Sequence, residues 1–197
     1  MDIDMDTYKL SDDMDSVNDR KVAIVTDSVA QVPVELAQQL GITVVPLTVQ
    51  IGRESYLDGV DLVLEDLYRR MRVEKILPTT SAPSPGQMEE VFQACLNAGL
   101  RSVMCITLSS KLSATYCVGC TVAEEMMADQ PGCRIEVVDS KQGSIAQGFV
   151  VMAAAKAAAQ GRSLSEVRRV ADDAASRAGF VITLDTVSYT HLTLPTN

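Results

Sequence analysis

Hydroxyl and carboxyl side chains directly follow three short apolar stretches of the chain. The three pairs are Asp27-Ser28, Ser109-Ser110 and Asp139-Ser140. The stretches before them are rich in aliphatic and β-branched residues, which is typical of buried parallel strands. Because ligands of such sheets bind beyond the carboxyl ends of the strands, the sequence predicts one rim that is rich in hydroxyl groups.

A fourth polar segment, Thr79-Thr80-Ser81, lies between Pro78 and Pro83. Prolines remove backbone donors and fix φ, so this segment is predicted to be an irregular loop and not a helix or a central strand. Ser84-Pro85, with Gln87 at the capping-box position, predicts that a helix begins directly after the loop.

The stretch Thr107–Tyr116 carries Ser110 and Ser113 between a predicted strand and a predicted helix. A helix N-terminus has unpaired N–H groups and partial positive charge, so hydroxyl groups placed there can help to bind an anion. The alternative is that Ser110 or Ser113 only caps the helix, and the sequence leaves both readings open at this point.

Strand and helix patterns alternate along the chain, which predicts an α/β fold, mainly a parallel sheet with helices on both faces. The predicted strands are residues 21–26, 42–51, 102–108, 134–138 and 180–183. The predicted helices are residues 33–40, 62–73, 84–98, 113–129, 144–160 and 163–178, and residues 52–61 are predicted to form a polar turn.

Composition and charge exclude several classes of protein. Hydrophobic residues make up 47% of the chain, and the formal net charge is −9. Residues 1–20 hold seven Asp against Lys9 and Arg20, which predicts an acidic, disordered tail. This balance argues against nucleic acid as the main partner, because phosphate contacts need clustered Lys and Arg.

The location of the protein is predicted from its apolar segments and its cysteines. No stretch approaches the ~18 apolar residues of a membrane span, and no signal-peptide pattern opens the chain. The five Cys are an odd number, and Cys95 and Cys105 lie in apolar patterns. We therefore expect free thiols in a cytoplasmic protein.

The usual catalytic motifs are absent from the sequence. There is no Walker-type glycine loop and no Gly-x-Gly-x-x-Gly, so a conventional nucleotide site is not expected. His191 is the single histidine, so a catalytic triad or a multi-histidine metal site lacks its parts. Cys117-Val-Gly-Cys120 lacks further zinc ligands at suitable spacing, and helix packing is its predicted role.

Together these segments resemble the DegV family of bacterial fatty-acid-binding proteins. The resemblance covers about residues 21–187 and rests on Val25–Ser28, Pro78–Ser84, Leu108–Tyr116 and Val138–Ser140 followed by Gly143. Two positions depart from it, because the family usually has Gln where Ala82 stands and Gly where Ala114 stands.

The resemblance implies a lipid carrier and not an enzyme, with no cofactor and no metal. It implies that one long-chain fatty acid is held in an aliphatic pocket between two domains and presented to a separate fatty-acid kinase subunit. The implied carboxylate ligands are Thr80, Ser81, Ser110 and Ser113, and the implied supporting rim is Asp27, Ser28, Asp139 and Ser140.

The resemblance also implies a domain organisation. We expect an acidic tail at 1–20, a DegV-type N-terminal domain at 21–160, and the start of a truncated second domain at 161–187. Residues 188–197 have no apolar periodicity and are expected to be non-native. A truncated chain would lack one wall of the pocket, so we expect it to bind fatty acid poorly and to aggregate through exposed apolar surface.

Two other function classes stay open. The first is a small-molecule phosphohydrolase or transferase that uses Asp27 and Asp139 at the sheet rim, although no second Asp stands two residues after Asp27. The second is a regulatory interaction module without a ligand, which only the acidic tail supports.

Overall fold

The main sheet is parallel and has four strands. The computed structural model describes residues 21–62 and 64–182. The strands of this sheet are β1 (Val22–Asp27), β2 (Ile42–Val45), β6 (Ser102–Thr107) and β7 (Arg134–Asp139). Their order is β2-β1-β6-β7 and every pairing is parallel, as predicted. The chain leaves β1 to one side and returns on the other side as β6, so the switch point lies between the carboxyl ends of β1 and β6.

A second, antiparallel sheet was not predicted. Its strands are β3 (Thr48–Ile51), β4 (Glu54–Leu57) and β5 (Thr79–Ser81), in the order β4-β3-β5. The prediction of one strand over residues 42–51 is therefore wrong. The two strands in this range, β2 and β3, are separated by Pro46-Leu47, where proline supplies no N–H to continue a ladder.

Two segments predicted to be irregular are strands of this second sheet. Residues 54–57 form β4 within the predicted polar turn, and residues 79–81 form β5 within the predicted loop. Both strands lie at the edges of the sheet. Edge strands need no continuous apolar alternation and tolerate neighbouring prolines, which is why the sequence pattern did not reveal them.

Six helices are present in the described part of the chain, at the predicted places. They are α1 (Val34–Leu40), α2 (Leu64–Glu74), α3 (Pro85–Asn97), α4 (Thr115–Asp129), α5 (Ser144–Ala159) and α6 (Leu164–Arg177). The capping box predicted at Ser84 is present, and so is a second one at Ser163. The boxes satisfy N–H groups that the first helical turn leaves unpaired.

Helices cover both faces of the parallel sheet, as predicted. On one face, Ile24 and Ile106 pack with α1, α5 and α6. On the other face, Val25 and Cys105 pack with α3 and α4. Successive residues of a strand point to opposite faces, so the continuous apolar runs of β1 and β6 supply both cores.

The end of the described chain differs from its prediction. Residues 180–182 form no regular strand, and residue 183 lies outside the described residues. Leu164, Val167 and Ala171 of α6 pack into the same cluster as α5. The domain boundary between residues 160 and 161 stays a prediction, and the predicted segments 1–20 and 188–197 lie outside the described residues.

Candidate functional site

Asp27 ends β1 and accepts hydrogen bonds from three parts of the chain. Its Oδ2 accepts from the N–H of Leu108 at 2.8 Å, and its Oδ1 accepts from the N–H of Val29 and the Nε2 of Gln147, both at 3.1 Å. The residue is 1% exposed. Asp27 therefore ties the carboxyl end of β1 to the chain after β6 and to α5.

Burial has a clear effect on this carboxyl group. Desolvation raises the pKa of Asp27 above its ordinary value, and the three hydrogen bonds oppose that rise. Gln147 is fully buried, and its Oε1 has no hydrogen-bond partner among the described residues. Sequence reasoning missed Gln147, because a polar residue in an Ala-rich helix gives no signal of a tertiary partner.

Ser110 and Asp139 meet across the carboxyl ends of β6 and β7. The Ser110 hydroxyl donates to Asp139 Oδ2 at 2.6 Å, and the N–H groups of Ser110 and Lys141 donate to Oδ1. The rim pairs that the sequence predicted at β6 and β7 are thus brought together. The hydroxyl of Ser110 and the carboxylate of Asp139 are thus already engaged in hydrogen bonds within the rim.

The remaining rim residues hold the loops in place. The Ser28 hydroxyl accepts from the N–H of Leu47 at 3.1 Å, which fixes the start of β3 beside the end of β1. Ser140 is buried, its N–H donates to the carbonyl of Thr107, and its hydroxyl accepts from the N–H of Gln142.

Gln142 connects the rim to the end of α6. Its backbone carbonyl accepts from the N–H of Ser109 at 2.8 Å. Its Nε2 donates to the carbonyls of Ala175 and Ala178, at 3.2 and 3.1 Å. Ala175 lies in the last turn of α6 and Ala178 is its C-cap residue, and helices leave acceptors unpaired at this end. This contact could not be predicted from local sequence patterns, because it joins residues far apart in the chain.

Ser113 lies just before α4, and it does not cap the helix in the predicted way. The N-cap residue is Ala114, which makes no side-chain capping bond. The Ser113 hydroxyl is half-buried, accepts from the N–H of Thr115 at 3.3 Å and pairs with the Thr115 hydroxyl at 2.9 Å. No acidic side chain stands in the first turn of α4, so nothing on the helix itself offsets the positive end of its dipole.

Thr80 and Ser81 are exposed on β5, in the second sheet. Within the described residues, no hydrogen bond joins either side chain to Ser110 or Ser113. Ser81 pairs with Thr48 of β3. The residue before Thr48 is Leu47, whose N–H donates to the Ser28 hydroxyl at the end of β1. This end of β5 therefore faces the rim at β1.

The segments that contain Ser81 and Ser113 lead into two neighbouring helices. The N-cap of α3 is Ser84, and α4 begins at Thr115. A Cβ built on Gly119, in the second turn of α4, would lie 4.0 Å from the Cε of Met88, in the first turns of α3. The N-terminal turns of the two helices are therefore side by side.

An open apolar groove of about 810 Å3 lies beside this rim. Its walls include Val29, Leu112, Ile145, Phe149 and Phe180, and Arg177 stands at its edge. Leu112, Ile145 and Phe149 are 50%, 47% and 59% exposed, which is unusual for large apolar side chains that lie so close together. None of the predicted carboxylate ligands lines this groove, but Leu112 directly precedes Ser113 in the chain.

A second groove of about 720 Å3 lies between α1 and the segment 58–65. Its apolar residues include Val34 and Val60, and its charged residues are Asp58 and Glu65. It contains Ser28 but none of the predicted carboxylate ligands.

Two features that could have pointed to other functions are absent from the described residues. In the described residues there is no group of three His, Cys, Asp or Glu side chains that could hold a metal ion. No helix of that part of the chain could cross a membrane. The two rim carboxylates are engaged by backbone donors, whereas Leu112, which precedes Ser113 in the chain, lines a groove that is open to solvent.

Comparison with known proteins gives a consistent family. A family model described as the DegV family of uncharacterised proteins matches residues 21–192, which includes part of the segment 188–197. A DegV domain-containing protein of Caldanaerobacter subterraneus is 37% identical over 169 residues, covering 86% of this chain and 58% of the relative. One from Streptomyces coelicolor is 32% identical, again over 86% and 58%.

Solved structures agree with this result. A DegV family protein from Thermus thermophilus, described by its fatty acid binding, matches at 30% identity with a TM-score of 0.71, covering 79% of this chain and 54% of that one. A stearic acid-binding protein from Eubacterium ventriosum matches at 29% identity and a TM-score of 0.71, over 77% and 52%. The chain thus spans about half the length of the relatives that it matches.

Proposed function

Because the chain belongs to the DegV family, we propose that it takes part in binding a long-chain fatty acid, with the carboxylate at the N-terminus of α4. One observation carries the proposal. Leu112, in the wall of the apolar groove, is followed directly by Ser113, which precedes α4. A fatty acid has the same two parts, an apolar chain and a terminal anion.

We assign the carboxylate to Ser113 and to Thr80 or Ser81, with Ser110 nearby. Hydroxyl groups and helix N–H groups can bind a carboxylate without a metal, and each bond to a charged group contributes roughly 1.5–3 kcal/mol. The adjacent N-terminal turns of α3 and α4 support this assignment, because both attract an anion. Asp27, Ser28, Asp139 and Ser140 would support the loops and make no contact with the ligand.

The groove would hold part of the acyl chain. Each methylene that leaves water contributes about 0.8 kcal/mol before the costs of binding are subtracted. Most of the affinity would then come from the groove, and the hydroxyl groups would set the orientation. Because the groove is open, we expect weak binding by the 197-residue chain.

The finer role that we propose is that of a carrier, which presents the carboxylate to a separate kinase subunit. Neutral hydroxyl ligands suit such a role, because they leave the carboxylate free to react. The alternative phosphohydrolase has less support, since Asp27 is 1% exposed and Asp139 accepts three hydrogen bonds. A cytoplasmic location and the absence of nucleic-acid binding stay predictions.

The test compares two ligands that differ only in the head group. Palmitate and hexadecanol are titrated into the wild-type chain and into the Thr80→Ala/Ser113→Ala variant. We expect the wild type to prefer palmitate by roughly 10-fold or more, from one or two charge-assisted bonds, and the variant to lose that preference. Hexadecanol affinity should stay unchanged in the variant, because the groove is intact.

Thr121→Ala is the matched control for this experiment. Thr121 is an exposed hydroxyl residue on α4, and it bonds to the carbonyl of Cys117 in its own helix. The control should keep the wild-type preference, and thermal unfolding checks that all the variants fold. A variant that still prefers palmitate as strongly as the wild type does would disprove the assignment of the carboxylate ligands.

A further inference from the structure

Two cysteines of α4 differ from the others in their exposure. Cys117 is exposed and Cys120 is half-buried, whereas Cys95, Cys105 and Cys133 are buried. Burial raises the pKa of the Cys95 and Cys105 thiols, which makes them poor nucleophiles. The sequence predicted helix packing for Cys117 and Cys120. That prediction is wrong for Cys117, whose side chain is turned toward solvent.

The spacing of the pair places both thiols on one face of the helix. Residues three apart on a helix are neighbours, with Cβ atoms about 5–6 Å apart. A disulfide needs Cβ atoms at about 3.5–4.5 Å, so closing the pair requires a local tightening of the turn. Gly119 lies inside this turn, and glycine weakens a helix interior by roughly 1 kcal/mol relative to alanine.

The pair lies near the start of α4, where Cys117 can be reached from solvent. Cys117 is the third residue of α4, and no acidic side chain stands in the first turn. The neighbouring Cys120 thiol raises the pKa of Tyr116, which lies in the first turn of α4.

We propose that Cys117 and Cys120 are a site of reversible oxidation that closes to an intrachain disulfide with a hydroperoxide as oxidant. The Cys117 thiolate attacks one oxygen of hydrogen peroxide, the S–O bond of a sulfenic acid forms and the O–O bond breaks, and the leaving hydroxide takes up the proton that the thiol had released and departs as water. The Cys120 sulfur then attacks the Cys117 sulfur, the S–S bond forms, and a second water leaves with the thiol proton. The thiol pair loses two electrons, and the peroxide gains them.

The closed form would alter the start of α4. The S–S bond would pull the turn 117–120 together, next to Ser113 and Thr115. A disulfide strained in this way is also reduced easily, so thiols such as glutathione would reopen it. This inference does not depend on a fatty acid, because both the reaction and its structural effect occur in the free chain.

The test maps the bond by peptide mass spectrometry. The full chain is treated with hydrogen peroxide, its remaining thiols are blocked with N-ethylmaleimide, and the protein is digested with trypsin and a Glu-specific protease. Cleavage after Lys111 and Glu124 gives the peptide 112–124, which contains Cys117 and Cys120 without Cys133. We expect this peptide to lose two hydrogens and take up no maleimide, and to take up two maleimides after reduction.

Variants and hydrogen exchange complete the experiment. Cys117→Ser and Cys120→Ser should each prevent the loss of two hydrogens, whereas Thr121→Ala on the same helix should behave as the wild type. Amides of the first turns of α4 should exchange faster in the oxidised wild type. The proposal is wrong if the peptide 112–124 still takes up two maleimides after peroxide treatment. It is also wrong if either cysteine forms its disulfide with Cys133 or with a second chain.

Discussion

Asp27 lies where the N–H groups of Val29 and Leu108 and the amide of Gln147 converge. A carboxylate is well suited to this place, because it offers acceptors to all three donors and needs no donor of its own. Its burial also keeps it away from any ligand in the groove. The role of Asp27 in the rim is therefore structural: it links the end of β1 to the chain after β6 and to α5.

Replacement of Asp27 should show this structural role. Asp27→Ala leaves the N–H of Leu108 buried without its acceptor, at a cost of about 1–3 kcal/mol or more in the free energy of unfolding. Asp27→Asn should cost less, because its oxygen can still accept from Leu108 while its amide donates to the unpaired Oε1 of Gln147 after that side chain rotates. Urea denaturation of the two variants measures the difference. Equal losses would contradict the predicted rotation of Gln147.

The pH dependence of these variants follows from the raised pKa of Asp27. The folded protein binds the proton more tightly than the unfolded chain, so the stability that this group contributes is full below its ordinary pKa of 3.8 and is lost as the pH rises through the raised value. The free energy of unfolding of the wild type, relative to Asp27→Asn, should therefore fall with rising pH. A difference that rises with pH would show that hydrogen bonding outweighs desolvation.

At the scale of elements, α5 approaches the 3-10 turn Ser28–Ala30 closely. A Cβ built on Gly148 would lie 2.5 Å from the backbone carbonyl oxygen of Ala30, a distance that atoms cannot sustain. Glycine is therefore required at residue 148 by the contact, although it weakens the helix itself. This contact positions α5, which contributes Ile145 and Phe149 to the groove.

Gly148→Ala should destabilise the protein by about 1–3 kcal/mol, because the turn must move away from α5. Gly86→Ala is the matched control, since Gly86 lies in α3 and has no atom within 4 Å of its built Cβ. The control should be neutral or stabilising, by up to about 1 kcal/mol. Thermal unfolding of both variants tests the contact, and similar losses in the two would contradict it.

At the scale of the whole molecule, two open grooves leave large apolar side chains in contact with solvent. Only the first is lined by Leu112, which precedes Ser113 in the chain, and it is formed by α5, by the loop before α4 and by residues 177–182. The second is lined by residues of α1 and is bordered by Asp58 and Glu65. The two grooves therefore allow a controlled comparison of where an acyl chain binds.

The expected result concerns the dependence of affinity on acyl length. In the wild type, each added methylene that enters the groove should tighten binding by up to about 4-fold, from about 0.8 kcal/mol. Ile145→Ser/Phe149→Ser should flatten this dependence, whereas Val34→Ser/Val60→Ser in the second groove should not. Titration with a series from decanoate to stearate measures it. If only the Val34→Ser/Val60→Ser variant loses the dependence on acyl length, the acyl chain binds in the second groove.

Local patterns were sufficient for most of the parallel sheet and its helices. The apolar runs of β1, β6 and β7 and the capping boxes at Ser84 and Ser163 each depend on neighbours within a few residues of the chain. The edge strands β4 and β5 were missed because neither alternates between apolar and polar residues. All three residues of β5 are polar and exposed, and β4 has two exposed polar residues followed by two partly buried ones.

The sequence by itself determined the fold class, the family resemblance and a rim rich in hydroxyl groups, because strand ends and helix starts are local features. Only the tertiary structure decided which rim groups are occupied, since Asp27 meets Gln147 and Ser110 meets Asp139 across separate elements. It also decided that Leu112, next to Ser113 in the chain, lines an apolar groove and that Cys117 is exposed. Burial and long-range hydrogen bonds depend on how elements pack, and no spacing within the chain specifies them.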